Sequence, residues 1–303
     1  MKFSLIIPTR NAGSGWNECI SAIRNQSVEP DKILVIDSTS IDDTAKLARE
    51  AGFSVEVIAP SNFNHGATRQ SGVRQCSAVD IHVFITQDAI LADADALKNL
   101  IAAFENPNVG MAYGRQLPRR GAGLLESHAR YFNYPKKSGV RSMADRHRLG
   151  MKTVFTSNSF AAYRASALDD AGGFPGDTIV SEDMYVAARM LQKNWRLAYC
   201  ADALVYHSHG YSLGQEFGRY FDIGVFNSRE SWIRREFGNA ESEGSRFLRS
   251  ELSFVLKSNP WLLPEAMLRT GLKFLGYRLG LLEARIPFSI CKALSMQKHY
   301  WRE

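Results

Sequence analysis

Residues 32–52 read KILVIDSTSIDDTAKLAREAG. The apolar run KILVID predicts a β-strand, the acids at Asp42 and Asp43 mark the start of a helix, and Gly52 marks its stop. A strand that ends in an acid and leads straight into a helix is the repeating unit of an α/β fold. Similar apolar runs stand on either side: FSLIIP at 3–8, SVEVIA at 54–59 and IHVFIT at 81–86. Helical patterns fall between and after them at 14–27, 42–52, 66–77 and 93–105. Three βα units therefore open the chain, and the expected sheet is mostly parallel.

A fifth strand is expected at Gly110–Gly114. Alternation then stops in an Arg-, Gly- and Lys-rich stretch, 115–150. It resumes with VFTSNSFAAYR at 154–164, a helix near 182–193 and two short strands, RLAYC at 196–200 and ALVYH at 203–207. From residue 212 the pattern is helical. Neither internal repeats nor low-complexity tracts interrupt it.

Composition narrows the functional classes. The chain has 303 residues, 45% of them apolar, enough for one large domain with a helical appendage. The four cysteines, Cys19, Cys76, Cys200 and Cys291, share no spacing typical of zinc sites or disulfide frameworks, which suits a reducing compartment. The apolar opening, Phe3 to Ile7, is too short for a signal segment and is cut by Pro8. No run approaches the roughly 18 apolar residues of a membrane span. The net charge of +6 is uneven: Arg115–Lys152 holds ten Lys/Arg against two acids, and Arg246–Glu303 holds ten against four Glu. Basic segments on an acidic body predict anionic partners at defined places, although solvated loops and helix faces give the same pattern. They carry no nucleic-acid motif, and nucleic acid is not an expected partner.

Open parallel sheets bind ligands beyond the carboxyl ends of their strands. Pro8-Thr9-Arg10, Asp37-Ser38 and Thr86-Gln87-Asp88 all lie at such ends. PTRNAGSG lacks the glycine spacing of a dinucleotide site. Asp88 is suited either to a divalent cation or to capping the next helix. Glu182-Asp183 opens a predicted helix, where acids serve the helix dipole or supply a general base. Tyr206-His207-Ser208-His209 follows a strand; alternation along an extended chain would turn only one imidazole toward the crevice. Asn64-His65-Gly66-Ala67-Thr68-Arg69 offers a helix N-terminus, a glycine and a fixed cation, suited to phosphate or to plain helix capping.

The order of these features resembles the family 2 glycosyltransferases with the GT-A fold, over residues 3–225. The resemblance implies an α/β, Rossmann-like nucleotide-diphospho-sugar transferase with a mixed, mostly parallel central sheet and a C-terminal helical extension. It divides the chain into a catalytic domain, 1–225, with a nucleotide-sugar half at 1–114 and an acceptor and catalytic half at 115–225, followed by a basic, amphipathic helical region at 226–303. It implies that Pro8, Thr9, Arg10, Asp37, Gly66, Arg69, Gln87 and Arg219 bind the donor, with Asp37 accepting from the pyrimidine ring. The family's Asp-x-Asp motif falls on Thr86-Gln87-Asp88, where its first acid is a threonine. Metal binding, of Mg²⁺ or Mn²⁺, then rests on Asp88 and His207, the latter preferred over His209. Asp183 is the implied catalytic base, beside Glu182. Arg119, Arg120, Lys136 and Lys137 are the implied acceptor contacts.

More narrowly, FNHGATR, TQDAILAD, GRQLP, FTSNSFAAYR and HSH followed by EFGRYFDIGVF look like bacterial O-antigen rhamnosyltransferases. That resemblance implies inverting transfer from dTDP-β-L-rhamnose to an undecaprenyl-diphosphate-linked saccharide at the cytoplasmic face of the inner membrane, by a peripheral protein that can form homo-oligomers. The alternatives are another UDP- or dTDP-sugar donor, or a non-catalytic nucleotide-sugar-binding scaffold. Along 263–283 the Leu, Met and Phe residues share one half of a helical wheel, which suits a membrane interface, the catalytic domain or another subunit.

Overall fold

A computed structural model describes residues 1–238 and 241–301. Residues 239–240 and 302–303, part of the expected helical region 226–303, lie outside the described residues. The first half follows the predicted alternation: β1 (Phe3–Thr9), α1 (Trp16–Arg24), β2 (Lys32–Asp37), α2 (Thr44–Glu50), β3 (Ser54–Val57), α3 (His65–Gln75) and β4 (Ile81–Ile85). A two-residue strand β5 (Ile90–Leu91) precedes α4 (Ala96–Ile101), so the helix expected at 93–105 is shorter than its pattern, its last turn being a 3₁₀ turn, 102–105. Next come β6 (Val109–Leu117), α5 (Leu124–Asn133), β7 (Gly139–Arg141), α6 (Arg146–Leu149), β8 (Phe160–Arg164), α7 (Ala165–Asp170), α8 (Glu182–Gln192) and β9 (Arg196–Tyr206). The rest is helical: α9 (Leu213–Arg229), α10 (Ser231–Phe237), α11 (Glu241–Ser258), α12 (Leu263–Leu281) and α13 (Phe288–Leu294).

The strands form one sheet in the order β3-β2-β1-β4-β8-β6-β9-β5, with β7 also on β9. β1, β2, β3 and β4 are parallel, and β8 enters antiparallel between β4 and β6. β6 and β9 again run with the first four, whereas β5 and β7 run against them. The two short strands expected at 196–200 and 203–207 are one strand. Its pairing with β6 jumps from Gly114↔Cys200 to Arg115↔Leu204, a bulge that absorbs the exposed Asp202 without ending the strand.

Period-two alternation builds a core on each face of the sheet. Leu5 and Ile7 join Trp16, Val35, Val83 and Ile85 on one side. Ile6 joins Ile36, Phe84, Tyr163 and Phe221 on the other. The second core extends into the C-terminal helices, and the expected boundary at residue 225 lies inside α9, where Val225 is fully buried.

α12 meets α9 through glycine rather than leucine. A Cβ on Gly280 would stand 2.1 Å from the Phe221 carbonyl oxygen, one on Gly276 2.5 Å from that of Phe217, and one on Gly224 2.4 Å from that of Tyr277. The helix backbones touch there. The bulkier Met267, Leu268, Phe274 and Leu275 stay exposed. Beyond α13 the chain returns to α9, where the buried Asp222 carboxylate accepts from the Ser295 hydroxyl and from the backbone N–H groups of Met296 and Gln297. Trp301 then packs against Phe221 and Phe288.

Candidate active site

The tips of β1, β2 and β4 are knitted together before any ligand is considered. Thr9 donates its hydroxyl to Asp37 at 3.0 Å, and the Ser40 backbone N–H reaches the other carboxylate oxygen at 2.8 Å. The Ser40 hydroxyl adds a third bond. Asp37 is buried, and these bonds use three of its roughly four acceptor positions. The Gln87 amide accepts from the Arg10 N–H at 2.7 Å and donates to the Arg10 carbonyl at 3.0 Å, tying the β4 tip to the loop after β1. Pro8 is half-buried and the Arg10 side chain is exposed. Asn11, Thr39 and Ser181, three of the four non-glycine residues with positive φ among those described, border this crevice. Such backbone costs of order 1–3 kcal/mol per residue and concentrates at functional sites.

Asp183 sits in the first turn of α8. Its carboxylate accepts from the backbone N–H groups of Asn158, at 3.0 Å, and Met184, at 2.8 Å. Burial, and after it the charge of Glu182, push its pKa up to about 6. It is thus an anion at neutral pH with a proton affinity suited to a general base. Its neighbour has another role. Glu182, expected beside it in catalysis, is buried against the Arg69 guanidinium at 3.1 Å and the Asn158 amide at 2.9 Å. Arg69 and Gly66 also depart from the donor contacts expected of them. Arg69 is buried, spent on Glu182 and on the His65 carbonyl at 2.9 Å. Gly66 lies so close to the Pro175 carbonyl oxygen that a Cβ would come within 1.8 Å of it. The cation and the glycine lock α3 to the segment from Pro175 to Glu182.

The metal expectation is corrected in the other direction. β9 ends at Tyr206, so the alternation that would separate the two histidines has stopped, and both reach Asp88. His207 Nε2 is 3.5 Å from one Asp88 oxygen and His209 Nε2 is 3.6 Å from the other. One ligand atom from each of the three residues lies within 4.8 Å of the others. Gln116 fixes the tautomer of His207. Its side-chain carbonyl oxygen takes a hydrogen bond from Arg130 and stands 3.1 Å from His207 Nδ1, so Nδ1 donates there and Nε2 is the ring nitrogen that faces Asp88. Burial works against the Asp88 charge, but the hydrogen bond and charge of His207, with His209 and Thr86, together outweigh it and hold the carboxyl well below the usual range. Burial, and then His207, bring His209 down to about 4. One carboxylate and two imidazole nitrogens at this separation suit a shared divalent cation, for which deprotonated imidazole nitrogens would be the ligands.

Sequence reasoning ranked His209 behind His207 and gave no role to Gln116, Arg130 or the segment Ser157-Asn158-Ser159. That segment joins the two centres: Ser157 receives the Gln116 amide at 2.8 Å, Asn158 holds Glu182 and Asp183, and the Ser159 hydroxyl is 3.5 Å from His207 Nε2. Arg219 stands over the Tyr211 ring at 5.7 Å, and Tyr211 stacks on His209. A cavity of about 1010 Å³ opens beside His209, Arg219 and Met184. The four expected acceptor cations lie elsewhere. Arg119 pairs with Glu126 at 3.8 Å, Arg120, Lys136 and Lys137 are exposed, and none of the four lines the cavity.

A family model described as glycosyl transferase family 2 matches residues 4–172, more than half of the chain. The chain belongs to glycosyl transferase family 2. This family 2 glycosyltransferase is 51% identical over 302 residues to the O-antigen chain rhamnosyltransferase RfbN of Salmonella typhimurium, covering 99% of this chain and 96% of the relative. It is 48% identical over 300 residues to the O-antigen chain rhamnosyltransferase WbaN of Salmonella anatum, covering 99% and 95%. Among solved structures, a mannosyltransferase of Pyrobaculum calidifontis in complex with GDP-Man and Mn²⁺ superposes with a TM-score of 0.56 at 19% identity, covering 99% of this chain and 84% of that one. That likeness concerns the fold. The expected GT-A architecture, with its mixed, mostly parallel sheet and helical C-terminal part, is borne out in this family 2 glycosyltransferase.

Proposed function

We propose that the chain transfers L-rhamnose from dTDP-β-L-rhamnose to a sugar hydroxyl of an undecaprenyl-diphosphate-linked saccharide during O-antigen synthesis. Rhamnose transfer to the O-antigen chain is supported by the names of two relatives that match this chain at 51% and 48% identity over nearly its whole length. One observation carries the mechanism: a carboxylate with its pKa raised to about 6 shares a crevice with an Asp-His-His cluster.

Transfer is a single inverting displacement. Asp183 removes the acceptor hydroxyl proton as that oxygen attacks the anomeric carbon, the bond to the diphosphate breaks, and dTDP leaves. Its two backbone hydrogen bonds hold the carboxylate aimed while the proton moves. Asp88, His207 and His209 would hold a divalent cation, Mg²⁺ or Mn²⁺, whose chemistry is to neutralise charge growing on the leaving diphosphate. Asp37, Thr9, Pro8, Arg10 and Gln87 form the nucleotide end, and Arg219 adds a cation beside the diphosphate. In this reading residues 1–114 supply the donor half, 115–225 the acceptor and catalytic half, and 226–303 the membrane-facing part.

The chain works at the cytoplasmic face of the bacterial inner membrane as a peripheral protein. Among the described residues no helix is long and apolar enough to cross a membrane. Among the described residues, ten of the sixteen exposed large apolar side chains lie between Leu256 and Met296, in a segment rich in Lys and Arg, which favours an interfacial position.

The test is a donor panel with a synthetic lipid-diphosphate acceptor, followed by linkage analysis of the product. Preferred turnover of dTDP-β-L-rhamnose to an α-L-rhamnoside is expected; preference for a UDP-sugar, or retention of the β configuration, overturns the assignment. Flotation on anionic liposomes, compared with a chain ending before α11, checks the membrane surface, and equal flotation removes that part.

A further inference from the structure

The cavity beside the catalytic residues does not stop at the size of one sugar. At about 1010 Å³ it lies at the upper end of the roughly 300–1,000 Å³ usual for small-molecule pockets. Its lining joins three kinds of side chain. His209 of the Asp-His-His cluster, Met184 next to the proposed base, and Arg219 are in it. So are Arg269 and Lys273 of α12, both drawn to Glu216 of α9 at 2.8 and 3.0 Å. Leu125, Phe132, Phe247, Leu248 and Phe274, from α5, α11 and α12, add apolar surface.

Two further observations favour an anionic occupant. Six Lys/Arg side chains line the cavity against four Glu, and Arg219 forms no ion pair among the described residues. The apolar lining is continuous with the surface: Phe274 belongs to the wall and is 64% exposed, and wall residue Leu262 adjoins Trp261, which is 90% exposed.

We propose that this cavity is the acceptor site, with the saccharide toward His209 and Met184, its diphosphate against Arg269 and Lys273, and the first units of its polyisoprenyl tail along Leu125, Phe247 and Leu248. A sugar, an anionic linker and an apolar chain each find a counterpart in this lining: the neighbour of the proposed base, the cations of α12, and the apolar side chains of α5 and α11. The tail then leaves past Phe274 toward the exposed face of α12. The inference rests on the proposed function for the acceptor being lipid-linked, and it places the acceptor away from Arg119, Arg120, Lys136 and Lys137.

Two experiments on the full chain separate this idea from the rhamnose assignment. The first uses a photoreactive benzophenone-alkyl diphosphate that carries no sugar. Crosslinks that map to α5, α11 or α12 and are displaced by the unlabelled alkyl diphosphate are expected; crosslinks elsewhere, or none, overturn the site whatever donor the enzyme uses. The second compares acceptors that differ only in the presence of the tail. Leu125→Trp and Leu248→Trp should raise KM for the tailed acceptor roughly tenfold or more. KM for the tail-less acceptor should rise by a much smaller factor. An equal change in KM for both acceptors refutes the tail assignment. Failure of the wild-type chain to use dTDP-rhamnose, with crosslinks still in the cavity, refutes only the donor.

Discussion

Gly280→Ala should destabilise the protein, although alanine favours helix over glycine. A Cβ at Gly280 would stand 2.1 Å from the Phe221 carbonyl oxygen and 2.8 Å from both the Gly224 Cα and the Val225 N, where ordinary contact begins at 3.4 Å. All three are backbone atoms of α9, so no side-chain rotation relieves the clash. α12 would have to move off α9 by more than an ångström, opening the contacts at Gly276 and Gly224 as well. Overpacking of this kind costs about 1–3 kcal/mol, and the gain in helix propensity returns about 1 kcal/mol, for a net loss of up to about 2 kcal/mol. At this chain length that lowers Tm by roughly 2–4 °C per kcal/mol. Gly271 is the control. It lies on the same helix with nothing within 4 Å of its would-be Cβ, so Gly271→Ala should gain up to about 1 kcal/mol. Urea melts of both variants decide. If Gly280→Ala stabilises as Gly271→Ala does, backbone contact does not hold α12 in place.

The other predictions concern the site. Asp183→Asn should lower kcat by at least about a hundredfold while dTDP binding, measured by calorimetry, persists; ordinary activity in this variant would remove Asp183 as the base. Because burial and Glu182 bring the Asp183 pKa to about 6, and the base works deprotonated, wild-type kcat/KM should rise with pH through about 6 and level off above it; a limb near pH 4 would contradict that environment. His209→Ala should weaken Mn²⁺ binding, followed by titration, at least ~10-fold, and undiminished affinity would leave Asp88 and His207 as sufficient. Arg69→Met should cost about 3–5 kcal/mol in chemical denaturation by stranding the buried Glu182 carboxylate. The double variant Arg69→Met, Glu182→Met should recover much of that loss, and additive losses would argue against the pairing.

What the sequence reveals here depends on how local the physics is. The βα units were legible because each strand and helix carries its own period and its own stop, as Gly52 does for α2. Asp88, Asp183 and His207 were legible because strand tips and helix starts are local features. His209 was ranked behind His207 because alternation assumes strand geometry past Tyr206, where the strand ends. The Arg69–Glu182 pair joins residues 113 positions apart and has no local signature, so a cation at a helix start looked like a phosphate ligand. α12 misled in a different manner. The residues that bring its backbone onto α9 are Gly276 and Gly280, which register weakly in hydropathy, whereas its conspicuous apolar residues Met267, Leu268, Phe274 and Leu275 are exposed. Period located the helix correctly, but side-chain volume decided which face packs.

The clasp at Asp222 also bears on how the molecule comes apart. Ser295, Met296, Gln297 and Trp301 fill a core position and satisfy a buried carboxylate in α9, some 70 residues earlier. With that segment undocked, Asp222 loses three hydrogen bonds and Phe221 loses Trp301 beside it. Asp88, Asp183, His207 and His209 all precede α9, so a protease cut before Ser295 would leave every proposed catalytic and metal-binding residue in place and strip the helical half of its closing contacts. Such a nick would show first as lost stability, and only through that as lost turnover.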